Sequence, residues 1–161
     1  MPHPANTNAP NATDPNPAKP RGCTNFKLRQ LLRRVAQLYD NELAAAGLKT
    51  TQYSLLSHVH RLGPVQPGVL AKAMTLDAST LTRNLKPLVA AGWLALDAGP
   101  DARSRLVRIT ESGQAKRAQA QRCWRLAQDS LNQRLGLDQV QALHGLIDGA
   151  MRSLEPTDDI A

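Results

Sequence analysis

The chain of 161 residues is long enough for one domain with a modest core and terminal tails. Its formal net charge of +7 favours a polyanionic partner, nucleic acid before an anionic membrane surface. Aromatic residues make up only 3%, which argues against single-strand binding by base stacking, and no run approaches the roughly 18 apolar residues of a membrane span. Two cysteines, Cys23 and Cys123, with no secretory apolar segment, point to a reducing compartment, the cytoplasm.

Residues 1–22 carry Pro2, Pro4, Pro10, Pro15, Pro17 and Pro20 among Asn, Ala and Thr. Such a segment cannot bury a core, and it reads as a disordered tail in which Lys19 and Arg21 form a short basic arm. A first helix begins at Thr24, with Leu28, Leu31, Leu32, Val35, Leu38, Tyr39 and Leu43 on one stripe. Gly47 stops it, and Leu48 is the apolar residue that often follows a glycine stop. Thr50 or Thr51 caps a second helix with Tyr53, Leu56, Val59 and Leu62 inward, ended by Gly63 and Pro64. Pro67 opens a short third helix, with Leu70, Ala71 and Met74 inward. Asp77 caps a fourth, running to about Ala91. After Gly92, "WLALD" and "RLVRI" read as two strands flanking the loop "AGPDARS", a hairpin with an arginine-bearing tip. Thr110 caps a long fifth helix to about Leu135, with Trp124, Ala127, Leu131 and Leu135 on its apolar side. Gly136 breaks it, and Asp138 with Gln141 resembles a capping box for a sixth helix marked by Val140, Leu143, Ile147, Met151 and Leu154.

The fourth helix has two unlike faces at 100° per residue. Leu81, Leu85, Leu88 and Val89 cluster on one. Ser79, Thr80, Thr82, Arg83, Lys86 and Pro87 spread over the other, with Asn84 at its border. Short hydrogen-bonding side chains let a backbone approach another molecule closely, and Arg and Asn can pair with guanine and adenine edges in two places at once. No acidic residue lies between Ser79 and Leu96 to repel phosphates. Pro87 lacks an amide hydrogen and is expected to weaken or bend the helix near Arg83. Two short helices, a capped helix and a hairpin form a winged helix-turn-helix order. At the hairpin tip Asp101 can orient Arg103, a side chain suited to a minor groove, and Arg105 and Arg108 follow on the returning strand. The predicted class is mainly α with a small β-hairpin wing.

"STLTRNLKPLVAAGWL", "DARSRLVRITESG" and "LKTTQYSLL" together resemble the multiple-antibiotic-resistance regulator (MarR) family, over about Thr24 to Leu154. The resemblance implies a homodimer formed through the first, fifth and sixth helices, with a recognition helix in the major groove and the wing beside it in the minor groove. It implies a regulator of a palindromic operator on double-stranded DNA, usually a repressor released by a small ligand or by oxidation. Ser79, Thr80, Thr82, Arg83, Asn84 and Lys86 match the reading helix, and Asp101 and Arg103 the wing pair, with Arg105 beside them. The organisation expected is a tail at 1–22, a dimerisation helix at 23–48, the winged domain at 49–110, dimerisation helices at 111–155 and a flexible end at 156–161.

Two kinds of signal are compatible with these residues. An aromatic or phenolic effector would sit between the dimer helices and the reading domain, where Tyr39, Tyr53 and His58 are candidates, although each is as readily a core or surface residue. Alternatively, Cys23 and Cys123 form an oxidant-sensing pair across the dimer. One branch of the family senses peroxides with a cysteine directly before a phenylalanine at the start of the first helix. Here Asn25 precedes Phe26, and Cys23 lies two places earlier. His58 and His60 point about 200° apart on a helix and make poor metal co-ligands. No metal, cofactor or membrane is expected. Nor is catalysis, since there is neither a nucleophile, base and acid pattern nor a phosphate-binding glycine loop. A sequence-neutral architectural DNA-binding protein is the rival reading.

Overall fold

The computed structural model describes residues 21–100 and 104–155. Most of the expected N-terminal tail, the C-terminal segment 156–161, and Asp101 and Arg103 of the wing tip lie outside the described residues. Helix α1 (Thr24–Leu43) tightens into a 3-10 turn at Ala44–Ala46 and stops at Gly47, whose φ of 63° is the left-handed conformation a glycine accepts without strain. The Leu48 amide then donates to the Leu43 carbonyl at 3.2 Å, which brings the Leu48 side chain into the core.

Helix α2 (Thr50–Leu62) begins one residue earlier than a threonine cap requires. Lys49 holds the cap position, and its amide donates to the Gln52 side chain at 2.9 Å. Thr50 is already helical; its amide and hydroxyl both donate to Asp40 Oδ1, at 2.7 and 2.6 Å, and so tie the start of α2 to α1. Leu55, Leu56 and Val59 are buried, whereas Leu62, expected inward, is 39% exposed. It sits on the last turn, and Val65 enters the core just after it.

Helices α3 (Pro67–Ala73) and α4 (Ala78–Ala90) follow, separated by a turn in which Thr75 takes φ 53°. Pro87 is accommodated inside α4, which runs on to Ala90. Strands β1 (Leu94–Ala98) and β2 (Arg105–Ile109) pair antiparallel, Leu96 opposite Val107. Val65 adds a single bridge to Val107 through two backbone bonds of 3.0 and 2.8 Å, fastening the α2–α3 loop to the hairpin.

Helix α5 (Glu111–Leu135) grows directly from β2. Its cap, Thr110, accepts from the Gly113 amide at 3.0 Å and donates its hydroxyl to the Gly92 carbonyl at 2.6 Å. Helix α6 (Leu137–Ser153) starts immediately after Gly136, so Asp138 lies inside its first turn and the expected capping box does not form. There the carboxylate lies at the positive end of the helix dipole. The core gathers Leu43, Leu55, Leu56, Leu70, Leu81, Leu88, Leu94 and Val107 between α2, α4, the hairpin and α5. By contrast Phe26, Leu28 and Leu32 on α1, and Leu146, Met151 and Leu154 on or just after α6, are exposed.

Candidate nucleic-acid interface

Helix α4 is held by its apolar face, with Leu81, Leu85 and Leu88 buried. Ser79, Thr82, Arg83 and Lys86 are exposed on the opposite side, and Thr80 and Asn84 are half-buried at its edges. The helix N-terminus is organised by Asp77. Its Oδ1 accepts from the Thr80 amide at 2.7 Å and the Ser79 hydroxyl at 2.6 Å, and its Oδ2 accepts from the Thr80 hydroxyl at 2.7 Å. The Ser79 and Thr80 hydroxyls and the Thr80 amide together hold this carboxyl well below the usual carboxylate range, so it stays ionised. The Thr82 hydroxyl donates to the Ala78 carbonyl at 2.8 Å, and Arg83 Nη2 donates to Thr80 Oγ1 at 3.3 Å. Sequence reading placed all six polar residues on one helix but did not foresee that Asp77 engages two of the hydroxyls.

On the wing, Arg105 is exposed and stands opposite Ala98. Arg108 is not a free cation: its Nε donates to Asp97 Oδ2 at 2.7 Å across the hairpin. Hydrogen bonding from Arg108 lowers the Asp97 carboxyl, and the same bond raises the guanidinium. The partner was in view in the sequence, but only the strand register brings it within reach.

The other candidates lie apart from this surface. Tyr39 is buried and donates its hydroxyl to Gln128 Oε1 at 2.6 Å, and burial pushes its phenol pKa up. Tyr53 packs on Trp124 with ring centroids 6.3 Å apart. His58 Nδ1 lies 2.8 Å from the Ser54 carbonyl of its own helix. A cavity of about 420 Å³ opens instead between α1 and α5, with Leu31, Val35, Leu38 and Leu131 among its apolar walls and Arg34 and Arg134 at its edge. Cys23 caps α1 and is exposed; Cys123 packs on the core from α5. Tyr39 meets Gln128, Leu31 and Arg34 share a cavity with Leu131 and Arg134, and Gly47 faces Lys116, so α1 runs antiparallel to α5, which puts the two thiols of one protomer roughly 30 Å apart at 1.5 Å rise per residue. A bridge within one chain is therefore impossible, since it needs Cα atoms within about 7 Å. No group of three or more His, Cys, Asp or Glu able to hold a metal occurs among the described residues. Nor is any helix among them long and apolar enough to cross a membrane.

A sequence profile described as the MarR family matches residues 46–104, from the end of α1 to the wing. The multiple antibiotic resistance protein MarR of Salmonella typhimurium is 31% identical over 113 residues, 69% of this chain and 78% of that protein. The chain belongs to the MarR family. It is thus a DNA-binding transcriptional regulator of winged helix-turn-helix type. The uncharacterized HTH-type transcriptional regulator YwoH of Bacillus subtilis is 29% identical over 90 residues, 56% of this chain; the alignment spans 66% of YwoH, just under two thirds. Among solved MarR-fold structures, the M. tuberculosis transcriptional regulator MosR in complex with DNA superposes with a TM-score of 0.71 at 27% identity, over 84% of this chain and 100% of that one.

Proposed function

We propose that this MarR-family protein works as a homodimeric repressor. Each protomer lays α4 into the major groove of a palindromic operator, with the hairpin against the neighbouring minor groove. The observation that carries this reading is the solvent face of α4. It is built of Ser79, Thr82, Arg83 and Lys86, is free of acidic residues past its cap, and is held out by Leu81, Leu85 and Leu88. Such a surface combines phosphate-compatible charge with base-edge donors and acceptors. The solved MosR complex with DNA supports it by likeness of fold. Dimerisation is supported by the apolar side chains left exposed at both ends of the chain, Phe26 and Leu28 on α1 and Leu146 and Met151 on α6. Pairing would cover them and set two reading helices about 34 Å apart, one duplex turn.

Release by a small aromatic acid is the remaining part of the proposal. The cavity between α1 and α5 joins apolar walls to Arg34 and Arg134, two cations against the single carboxylate of Glu42, and so suits a ring bearing a carboxylate. The test is to sequence the genomic fragments retained by the purified protein, with and without benzoate as probe. A palindrome bound about 10³-fold more tightly than random duplex is expected. Equal affinity for every duplex would establish the sequence-neutral architectural alternative instead.

A further inference from the structure

We propose that Asp77 is a positioning residue that fixes the hydrogen-bond polarity of the reading helix. It makes the N-terminal half of that helix discriminate amino-bearing bases from keto-bearing ones. This rests on the α4 reading given above. A serine or threonine hydroxyl has one proton to give and two lone pairs to receive with. On this helix all three protons are committed internally. Ser79 and Thr80 donate to the Asp77 carboxylate at 2.6 and 2.7 Å, and Thr82 donates to the Ala78 carbonyl at 2.8 Å. What these side chains leave toward solvent is lone pairs alone, so the side chains of the first turn and a half offer only acceptors.

The Asp77 carboxylate, itself an acceptor, extends this surface. Because each hydroxyl already donates, and two of them donate to an anion, its oxygen is polarised into a better acceptor for a second bond. Donors begin one turn later, with Arg83, whose Nη2 is steadied on Thr80 Oγ1, and continue with Asn84 and Lys86. In a major groove, cytosine N4 and adenine N6 are donors, while guanine O6 and N7 and thymine O4 are acceptors. An acceptor-only segment therefore selects cytosine or adenine on the strand it faces and rejects guanine or thymine, whose oxygens would meet its lone pairs.

The experiment is selection from randomised duplexes with the full chain, comparing wild type, Asp77→Asn, Ser79→Ala and Thr82→Ala, with the fold of each checked by circular dichroism. Base positions whose preference changes in Ser79→Ala or Thr82→Ala are those the segment faces. Wild type is expected to favour cytosine or adenine there by about five-fold, the worth of one net hydrogen bond. Asparagine keeps the helix cap but has only one acceptor oxygen and brings a donor amide. Asp77→Asn therefore turns one hydroxyl proton outward and shifts that position toward guanine or thymine by a similar factor. Should Asp77→Asn not fold, Ser79→Ala still decides: it must lose the amino preference at one position without gaining a keto preference. Guanine or thymine selected by wild type at those positions overturns the proposal, as does an unchanged base profile in a folded Asp77→Asn. Enrichment of no sequence by any variant, wild type included, overturns the operator-reading function itself, and this inference with it.

Discussion

Gly113→Ala sets two physical effects of opposite sign against each other. Gly113 is the third residue of α5, and alanine in a helix is ordinarily favoured over glycine by about 1 kcal/mol. Yet Gly113 is buried where α5 leaves the hairpin, and a methyl group there would collide with the backbone carbonyl of Trp93, its oxygen and carbon both, and with Ile109 Cγ1 at 2.9 Å. The Trp93 carbonyl cannot simply move. It accepts from the Thr110 amide at 3.1 Å, the Thr110 hydroxyl is held on the adjacent Gly92 carbonyl at 2.6 Å, and the Gly113 amide returns a bond to that hydroxyl. Making room requires a shift of about 1 Å between β1 and α5, and overpacking of this kind costs about 1–3 kcal/mol with further loss from the stretched cap. The net expectation is destabilisation by about 1–2 kcal/mol, a fall in Tm of roughly 3–8 °C for a chain of this size. Thermal and urea unfolding at one fixed protein concentration read the sign, since the proposed dimerisation would make Tm depend on concentration. A Tm at or above wild type would refute the reasoning, for it would mean that helix propensity outweighs the Trp93 contact.

Tyr39→Phe removes the bond to Gln128 and is expected to cost about 1 kcal/mol at neutral pH. Because the folded phenol has a raised pKa, its contribution is fully present below the unfolded value of about 10 and disappears as pH rises through the folded one. Urea midpoints at pH 7 and pH 10.5 should thus fall less for the variant than for wild type between the two pH values. Thr75→Gly relieves a β-branched residue held at φ 53°, and although glycine adds unfolded-state freedom, a gain of about 0.5–1 kcal/mol in chemical unfolding is expected. Arg83→Ala is expected to flatten base preference by about 1–3 kcal/mol at one operator position. Arg105→Ala should instead weaken binding evenly and lower the salt slope by about one, both read from titrations at several salt concentrations.

The order of elements was legible because its punctuation is local. Gly47, Gly63, Gly92 and Gly136 all take positive φ where helices end, and Asp77 and Thr110 cap the helices that follow them. Such signals act within a few residues and need no knowledge of the fold. Failures arose where two local signals competed. Gly136 set the start of α6 ahead of Asp138, and the anchoring of Thr50 by Asp40 moved the cap of α2 to Lys49. Periodicity marked Leu28 and Leu32 as an apolar stripe but could not say what covers them, and among the described residues both stay exposed. For the interface, the residues on the outer face of α4 were readable from spacing alone. The direction of each hydroxyl proton was not, because it depends on carboxylate geometry that forms only once the helix exists. Arg108 illustrates the same limit: a cation by sequence, it becomes half of an ion pair by register.

The junction at Thr110 has a mechanical consequence. Helix α5 is stapled at its first residues to Gly92 and Trp93, the segment that joins the end of α4 to the hairpin. Its 25 residues reach about 37 Å, so a tilt of about 5° at that pivot swings the far end by roughly 3 Å. A lever read in one direction is also one in the other. A small molecule or a partner that shifts the distal end of α5 by a few ångströms turns the pivot by only a few degrees, and that turn is delivered to the wing and the close of α4 together.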